Sequence, residues 1–310
     1  MLAACTDPAD SWDGVMNPIL GFPNAAIKDA FLVEHEGTWH LGYSRITDNP
    51  FRFRLGFSSS ADLVELDHAP DMDQPDTGGL ASPDVVRAPD GAFVMTYNTH
   101  TRDVGEVLNK MYYRTSSDLV TWSEPRRFVI DGANAPEDRL IDAALAFTDD
   151  AGAFLCFKRE QRANVAHSPS GSLAGPWTLI GELEGAAAST ENCQLIQLDG
   201  TWHMLATKIP LLHVPVLHRL DGDPRDPAAW RTWTVVRDVE IPAQPWNDGA
   251  FLDHETSNAS YLVDRRAEDG YAYLLYAGST DLTSFEARGH AKLGLARSRD
   301  LETWEPAPAR

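Results

Sequence analysis

The chain has 310 residues, and its 46 acidic against 26 basic side chains give a formal net charge of −20 at pH 7. That balance argues against nucleic acid and anionic membrane surfaces, which are held by clustered Lys and Arg, and suits a soluble protein with a neutral ligand. Three cysteines are too few for a disulfide framework, and no segment approaches the roughly eighteen apolar residues of a membrane span.

In chain order, the opening Met1-Leu2-Ala3-Ala4-Cys5 resembles the end of a bacterial lipoprotein signal with Cys5 as the lipidated residue, although no apolar stretch stands ahead of it. The expectation is a soluble bacterial protein, secreted or anchored through Cys5 if the match is real and cytoplasmic otherwise. A segment then recurs five times: an apolar strand, a Gly-aromatic turn, and a second apolar strand ending in a polar residue. The copies are Asp29–Ser44, Asp84–Asn98, Asp142–Lys158, Glu191–Lys208 and Asn258–Ser279. They start at intervals of roughly fifty to seventy residues, the period of a repeat array.

Out of phase with this segment a second motif recurs at 58–67, 114–122, 167–177, 219–233 and 296–304. It follows a strand, supplies a polar turn and leads into a short strand carrying Trp or Leu. Each unit thus offers four short strands, which is one blade of a β-propeller. The expected fold is all-β: a five-bladed β-propeller with four antiparallel strands per blade, one domain over 1–310, blades starting near 29, 84, 142, 191 and 258. Single helical turns are expected near 102–109 and 224–230. Trp122, Trp177, Trp233 and Trp304 recur at one blade position and read as packing between blades. Cys156 and Cys193, inside apolar strands, read as buried thiols. Residues 12–28 are expected to close the ring by pairing with part of 286–304.

A radial repeat brings equivalent positions to one axis. The starts of the first strands (Asp29, Asp84, Asp142, Glu191, Asn258) and the ends of the second (Ser44, Asn98, Lys158, Lys208, Ser279) are therefore expected to line one pocket mouth. An isolated Asp at such a place caps a turn. Four acidic residues in register are costly to bury unless protons or partners are shared, and they supply what glycoside hydrolysis needs: one carboxylic acid for the leaving oxygen and one carboxylate for water or the anomeric carbon.

At these residues the chain resembles the five-bladed propeller glycosidases, most closely glycoside hydrolase family 43, which includes α-L-arabinofuranosidases, arabinanases and β-xylosidases. The resemblance rests on Asp29-Ala30 before Gly37-Thr38-Trp39-His40, on Ser82-Pro83-Asp84-Val85, on Ile141-Asp142-Ala143 before Asp149-Asp150-Ala151-Gly152, and on Glu191-Asn192-Cys193 before Gly200-Thr201-Trp202. It covers almost the whole chain. The prolines and Gly-Pro pairs that follow the family's catalytic carboxylates are absent, so the resemblance implies a divergent or sister group. Related propeller families work differently: families 32 and 68 through an Asp nucleophile, family 130 by phosphorolysis of mannosides, family 117 with histidine as acid.

The resemblance implies Asp29 as general base, Glu191 as general acid and Asp142 as the group that raises the pKa of Glu191, in an inverting hydrolysis of a pentose-type glycoside, an α-L-arabinofuranoside or β-xyloside. Asp84, Asn98, Lys158, His254 and Asn258 are the expected sugar contacts. No cofactor is required and no metal ligand set is assigned; His254 is of the kind family 43 uses near a channel ion, and a channel Ca or Na is an open expectation. The partner is an oligo- or polysaccharide. The alternatives are a transglycosylase or phosphorylase on the same scaffold, for which Lys158, Lys208 and Arg159 are the available phosphate-binding cations, and a non-catalytic carbohydrate-binding propeller.

Overall fold

The computed structural model describes residues 12–73, 79–100, 109–209, 214–247, 258–280 and 291–310. Five antiparallel sheets follow one another along the chain. Blade I is β1 (Ala25–His35), β2 (Thr38–Asp48), β3 (Phe51–Ser60) and β4 (Asp67–Met72); blade II is β5 (Leu80–Arg87), β6 (Phe93–Thr99), β7 (Met111–Ser116) and β8 (Arg126–Arg127). Blade III is β10 (Leu140–Thr148), β11 (Gly152–Arg159), β12 (Arg162–Ser168) and β13 (Trp177–Glu182), with β9 (Ile130–Asp131) added parallel to β13. Blade IV is β14 (Thr190–Leu198), β15 (Thr201–Lys208), β16 (Pro215–Leu220) and β17 (Trp233–Asp238); blade V is β18 (Asn258–Arg265), β19 (Tyr271–Gly278), β20 (Lys292–Ser298) and β21 (Glu305–Pro306). The first strands touch in ring order, β1 to β5, β10, β14, β18 and back to β1. The fold is the five-bladed propeller expected from the repeats.

The Gly-aromatic turns are hairpin turns. Glu36-Gly37 and Asp199-Gly200 both place two residues at positive φ (52° and 78°, 51° and 76°), the type I′ geometry that matches the twist of the flanking strands. In three of its five copies the second recurring motif is a Ser-x-Asp-Leu turn. In Ser116-Ser117-Asp118-Leu119 the Ser116 hydroxyl donates to Asp118 Oδ1 and accepts from the amides of Asp118 and Leu119, while Asp118 Oδ1 caps Val120 and Thr121. Ser60 with Asp62 and Ser298 with Asp300 repeat the pattern, and Leu63, Leu119 and Leu301 share a left-handed φ of 61–63°.

Apolar side chains pack mainly between neighbouring sheets. Trp177, Trp233 and Trp304 are buried there and Trp122 is partly buried, as their repetition predicts. Trp230 was not foreseen in this role: it sits in the short 3-10 turn Pro227–Arg231, fully buried, its ring stacked on Phe154 at 3.9 Å between centroids. That turn matches the one expected at 224–230; a second, at Gly185–Ser189, was not expected, and the one expected at 102–109 lies almost wholly outside the described residues. Cys156 and Cys193 are free and buried.

Blade V has four strands of its own, so the N-terminal stretch does not complete it but clasps it. Asn17 pairs with the C-terminal tail, its amide on Pro308 O at 2.7 Å and its carbonyl under Arg310 N at 2.9 Å. Leu20 pairs with Leu293, and Ile27 N reaches Ala291 O. The buried Asn17 side chain brackets Leu295, donating to its carbonyl at 3.0 Å and accepting from its amide at 2.8 Å.

Candidate active site

Every first strand carries a register shift at the same place: between Lys28 and Phe31, Ala81 and Asp84, Ile141 and Ala144, Glu191 and Gln194, Asn258 and Tyr261. A bulge bends the strand and re-aims a side chain. Its turning residue is left-handed: Asp29 (φ 48°), Ser82 (φ 54°), Asp142 (φ 56°) and Asn192 (φ 52°). Asp and Asn tolerate this conformation better than other non-glycine residues, so the sequence favours the bend where the acids are needed.

The bulge also corrects the register read from the sequence. Asp29 and Asp142 are equivalent, but Asp84 stands two residues later, level with Gln194 and Tyr261, and Glu191 and Asn258 stand one residue earlier, level with Lys28. Among second strands, Ser44, Asn98 and Lys158 pair opposite Lys28, Ala81 and Ile141. In the last two blades that place belongs to Thr207 and Ala277, not to Lys208 and Ser279. Lys208 instead meets Asp238 at 3.0 Å on the exposed side of blade IV.

Asp29, Asp84 and Asp142 line one pocket on the axis, with Ser82, Asn192, Gln194 and Tyr261. Asp29 Oδ1 accepts from Asn192 Nδ2 at 2.9 Å across the channel, Oδ2 accepts from Ser44 Oγ at 3.2 Å, and Lys28 Nζ lies 3.7 Å from Oδ2. Ser44 Oγ in turn accepts from the Ser82 amide at 2.8 Å. Asp142 takes a hydrogen bond from Ser82, and its amide donates to Asn98 Oδ1 at 3.1 Å. Burial, and then the charge of Glu191, hold the Asp142 carboxyl above the ordinary carboxylate range, against the pull of Lys158. Glu191 Oε2 meets Lys158 Nζ at 2.5 Å, so the acid on β14 and the lysine on β11 join blades III and IV beside Asp142.

Asp84 lies below. It accepts the amides of Leu145 and Val85, yet burial pushes its carboxyl up to about 7. Tyr261 donates to Val85 O at 2.6 Å, and Gln194 bridges the amide and carbonyl of Leu262. These residues floor the pocket.

Of the expected sugar contacts, Asp84 lines the pocket. Lys158 is bound to Glu191. Asn98 has its amide engaged on Asp142 N and Thr99 O. Asn258 begins β18 opposite Ala277, and His254 lies outside the described residues. Among the described residues no group of three or more His, Cys, Asp or Glu is arranged to hold a metal ion. Ser82, Asn192, Gln194 and Tyr261 were missed by alignment on carboxylates. Alignment on the alternating apolar run that follows each bulge would have found them.

No family model matches the sequence, and no curated protein matches it either. Solved structures do. A thermostable family-43 glycoside hydrolase superposes with a TM-score of 0.64 at 14% identity, covering 96% of this chain and 97% of that one. An α-L-arabinofuranosidase from Podospora anserina, solved with cellotriose, gives 0.63 at 16% identity over 91% and 95%. A structure from work on family 130, the mannoside phosphorylases that include hydrolases of β-1,2 mannosidic linkages, gives 0.62 at 14% identity over 100% and 98%. At such identities the likeness is one of fold: the chain shares the five-bladed propeller of family 43 and related glycosidases.

Proposed function

We propose that this chain is a glycoside hydrolase, acting on a pentose-type glycoside by inversion. The observation that supports this most is the convergence of Asp29 and Asp142, re-aimed by equivalent bulges in different blades, on one pocket with Glu191 at its side. Asp29, ringed by Ser44, Asn192 and Lys28, has the surroundings of an ionised carboxylate and acts as base on water. Glu191 donates to the leaving oxygen. Its neighbour Asp142, whose carboxyl burial and the charge of Glu191 hold above the ordinary range, supplies the proton that the pair shares, and Lys158 stabilises the carboxylate left on Glu191 when the proton leaves.

The pentose assignment draws on the resemblance and on the arabinofuranosidase among the similar structures. Phosphorolysis is disfavoured by a specific arrangement: Lys158 sits on Glu191, Arg159 on Asp138 and Lys208 on Asp238, so each cation that phosphate would require is matched by an acid.

The test is a panel of nitrophenyl arabinofuranosides, xylosides, galactosides, fructosides and mannosides, with and without inorganic phosphate, and with anomer detection by NMR. Release of inverted pentose is expected. Glu191→Gln should lose activity on poor leaving groups by roughly a hundredfold or more while keeping it on activated ones, and Asp29→Asn should lose both. Sugar phosphate in the phosphate arm, or saccharide binding without turnover, would overturn the reading.

A further inference from the structure

Lys110 precedes β7 at the end of blade II nearest the pocket, and it is 7% exposed. Its Nζ donates to three main-chain carbonyls of one turn: Ala135 O at 2.9 Å, Pro136 O at 3.1 Å and Asp138 O at 2.6 Å. An ammonium has three protons, so this turn satisfies all of them. Carbonyl oxygens gathered on one point are how proteins replace the hydration shell of a monovalent cation; here the cation is tethered to a neighbouring blade. The turn is fastened a second time by Asp138, which accepts Ala135 N at 2.8 Å and Arg159 Nε at 2.9 Å.

Both fastenings lead into the site. Leu140 N donates to Asn109 O at 2.9 Å, and Asp142 follows two residues later. Arg159 adjoins Lys158, the partner of Glu191. The Lys110 main chain is bonded to Thr99 in both directions, and Thr99 follows Asn98, which holds the Asp142 amide.

We propose that Lys110 is a positioning residue: its ammonium gathers the 135–138 carbonyls and thereby sets Asp142 and Lys158, and without the side chain the vacated carbonyl cage binds a free alkylammonium. The effect on catalysis rests on the glycosidase reading; the cage does not. Removing the ammonium leaves three carbonyl dipoles aimed at one another with nothing between them.

The experiment compares wild type with Lys110→Ala in n-propylammonium, in KCl, and in tetramethylammonium, which has no N–H to donate. The variant should lose roughly tenfold or more in kcat with a smaller change in KM, since a misplaced acid pair affects the transition state more than ground-state binding. Propylammonium should restore kcat saturably and raise the Tm of the variant but not of wild type, and tetramethylammonium should do neither. Unchanged kcat in the variant overturns the positioning role. A Tm loss that propylammonium does not reverse overturns the cage. If Lys110→Ala does not fold alone, recovery of folded protein on refolding with propylammonium supports the cage and failure overturns it. If wild type turns over no glycoside, the glycosidase reading and the positioning role fall together, while the thermal-shift arm still decides the cage.

Discussion

A carboxyl pushed up to about 7 makes Asp84 a pH-dependent load on the fold. Its ordinary value is 3.8. Below that both folded and unfolded chains hold the proton and there is no cost. As pH rises from about 4 to 7 the unfolded chain ionises first, so stability falls; above about 7 the full cost of about 4 kcal/mol applies, at roughly 1.4 kcal/mol per pH unit. Asp84→Asn removes the ionisation. Its stability relative to wild type should therefore rise between pH 4.5 and 8, read from urea denaturation at each pH. A difference that stays constant across that range would show that the Asp84 carboxyl keeps its ordinary pKa in the folded chain. The pocket's acids were visible in the sequence as residue types, but their relative depth was not. Asp84, after Leu80-Ala81-Ser82-Pro83, and Asp142, after Leu140-Ile141, look equivalent as the acid that opens an apolar run; two positions of register and a bulge separate them.

At the scale of the element, the Ser-x-Asp-Leu turn recurs in three blades with the same local hydrogen bonds. Its serine satisfies two amides that would otherwise be unpaired, one of them on a buried leucine at positive φ. Ser116→Ala should destabilise the protein by about 1–3 kcal/mol, with Ser60→Ala and Ser298→Ala costing similar amounts, as measured by chemical denaturation. Widely unequal losses would mean that the turns are not equivalent. This motif was legible because its hydrogen bonds are local and its residues few. The hairpins were legible for the same reason, through Glu36-Gly37 and Asp199-Gly200. The inner-strand bulges were not, because a bulge is specified by what opposes it: Ser44 against Lys28, Thr207 against Glu191. Lys208 and Ser279 were placed on the pocket by counting along the strand, and one or two residues of slip moved them off it.

For the molecule as a whole, blade number and order followed from the repeat, and the expected pairing of residues 12–28 with blade V is present at Leu20 and Leu293, whereas the seam between Asn17 and the tail at 308–310 did not follow from the sequence. Nothing in residues 12–28 is periodic, and the Asn17 contacts span most of the chain. Asn17 is fully buried and also donates to Gln244 and Tyr276. Asn17→Ala leaves the amide and carbonyl of Leu295 without their partners and should cost about 2–5 kcal/mol, lowering Tm for the entire ring rather than for blade V alone. Two separate unfolding transitions in calorimetry would show that the clasp does not couple the blades.

The pairing of Asn17 with the tail at Ala309 is parallel. A pull applied to the two chain ends therefore drags these segments in opposite directions along their length. The bonds from Asn17 to Pro308 and Arg310 then bear the force in shear, sharing it instead of unzipping singly, so the seam where the circle is joined is set to resist stretching at the termini.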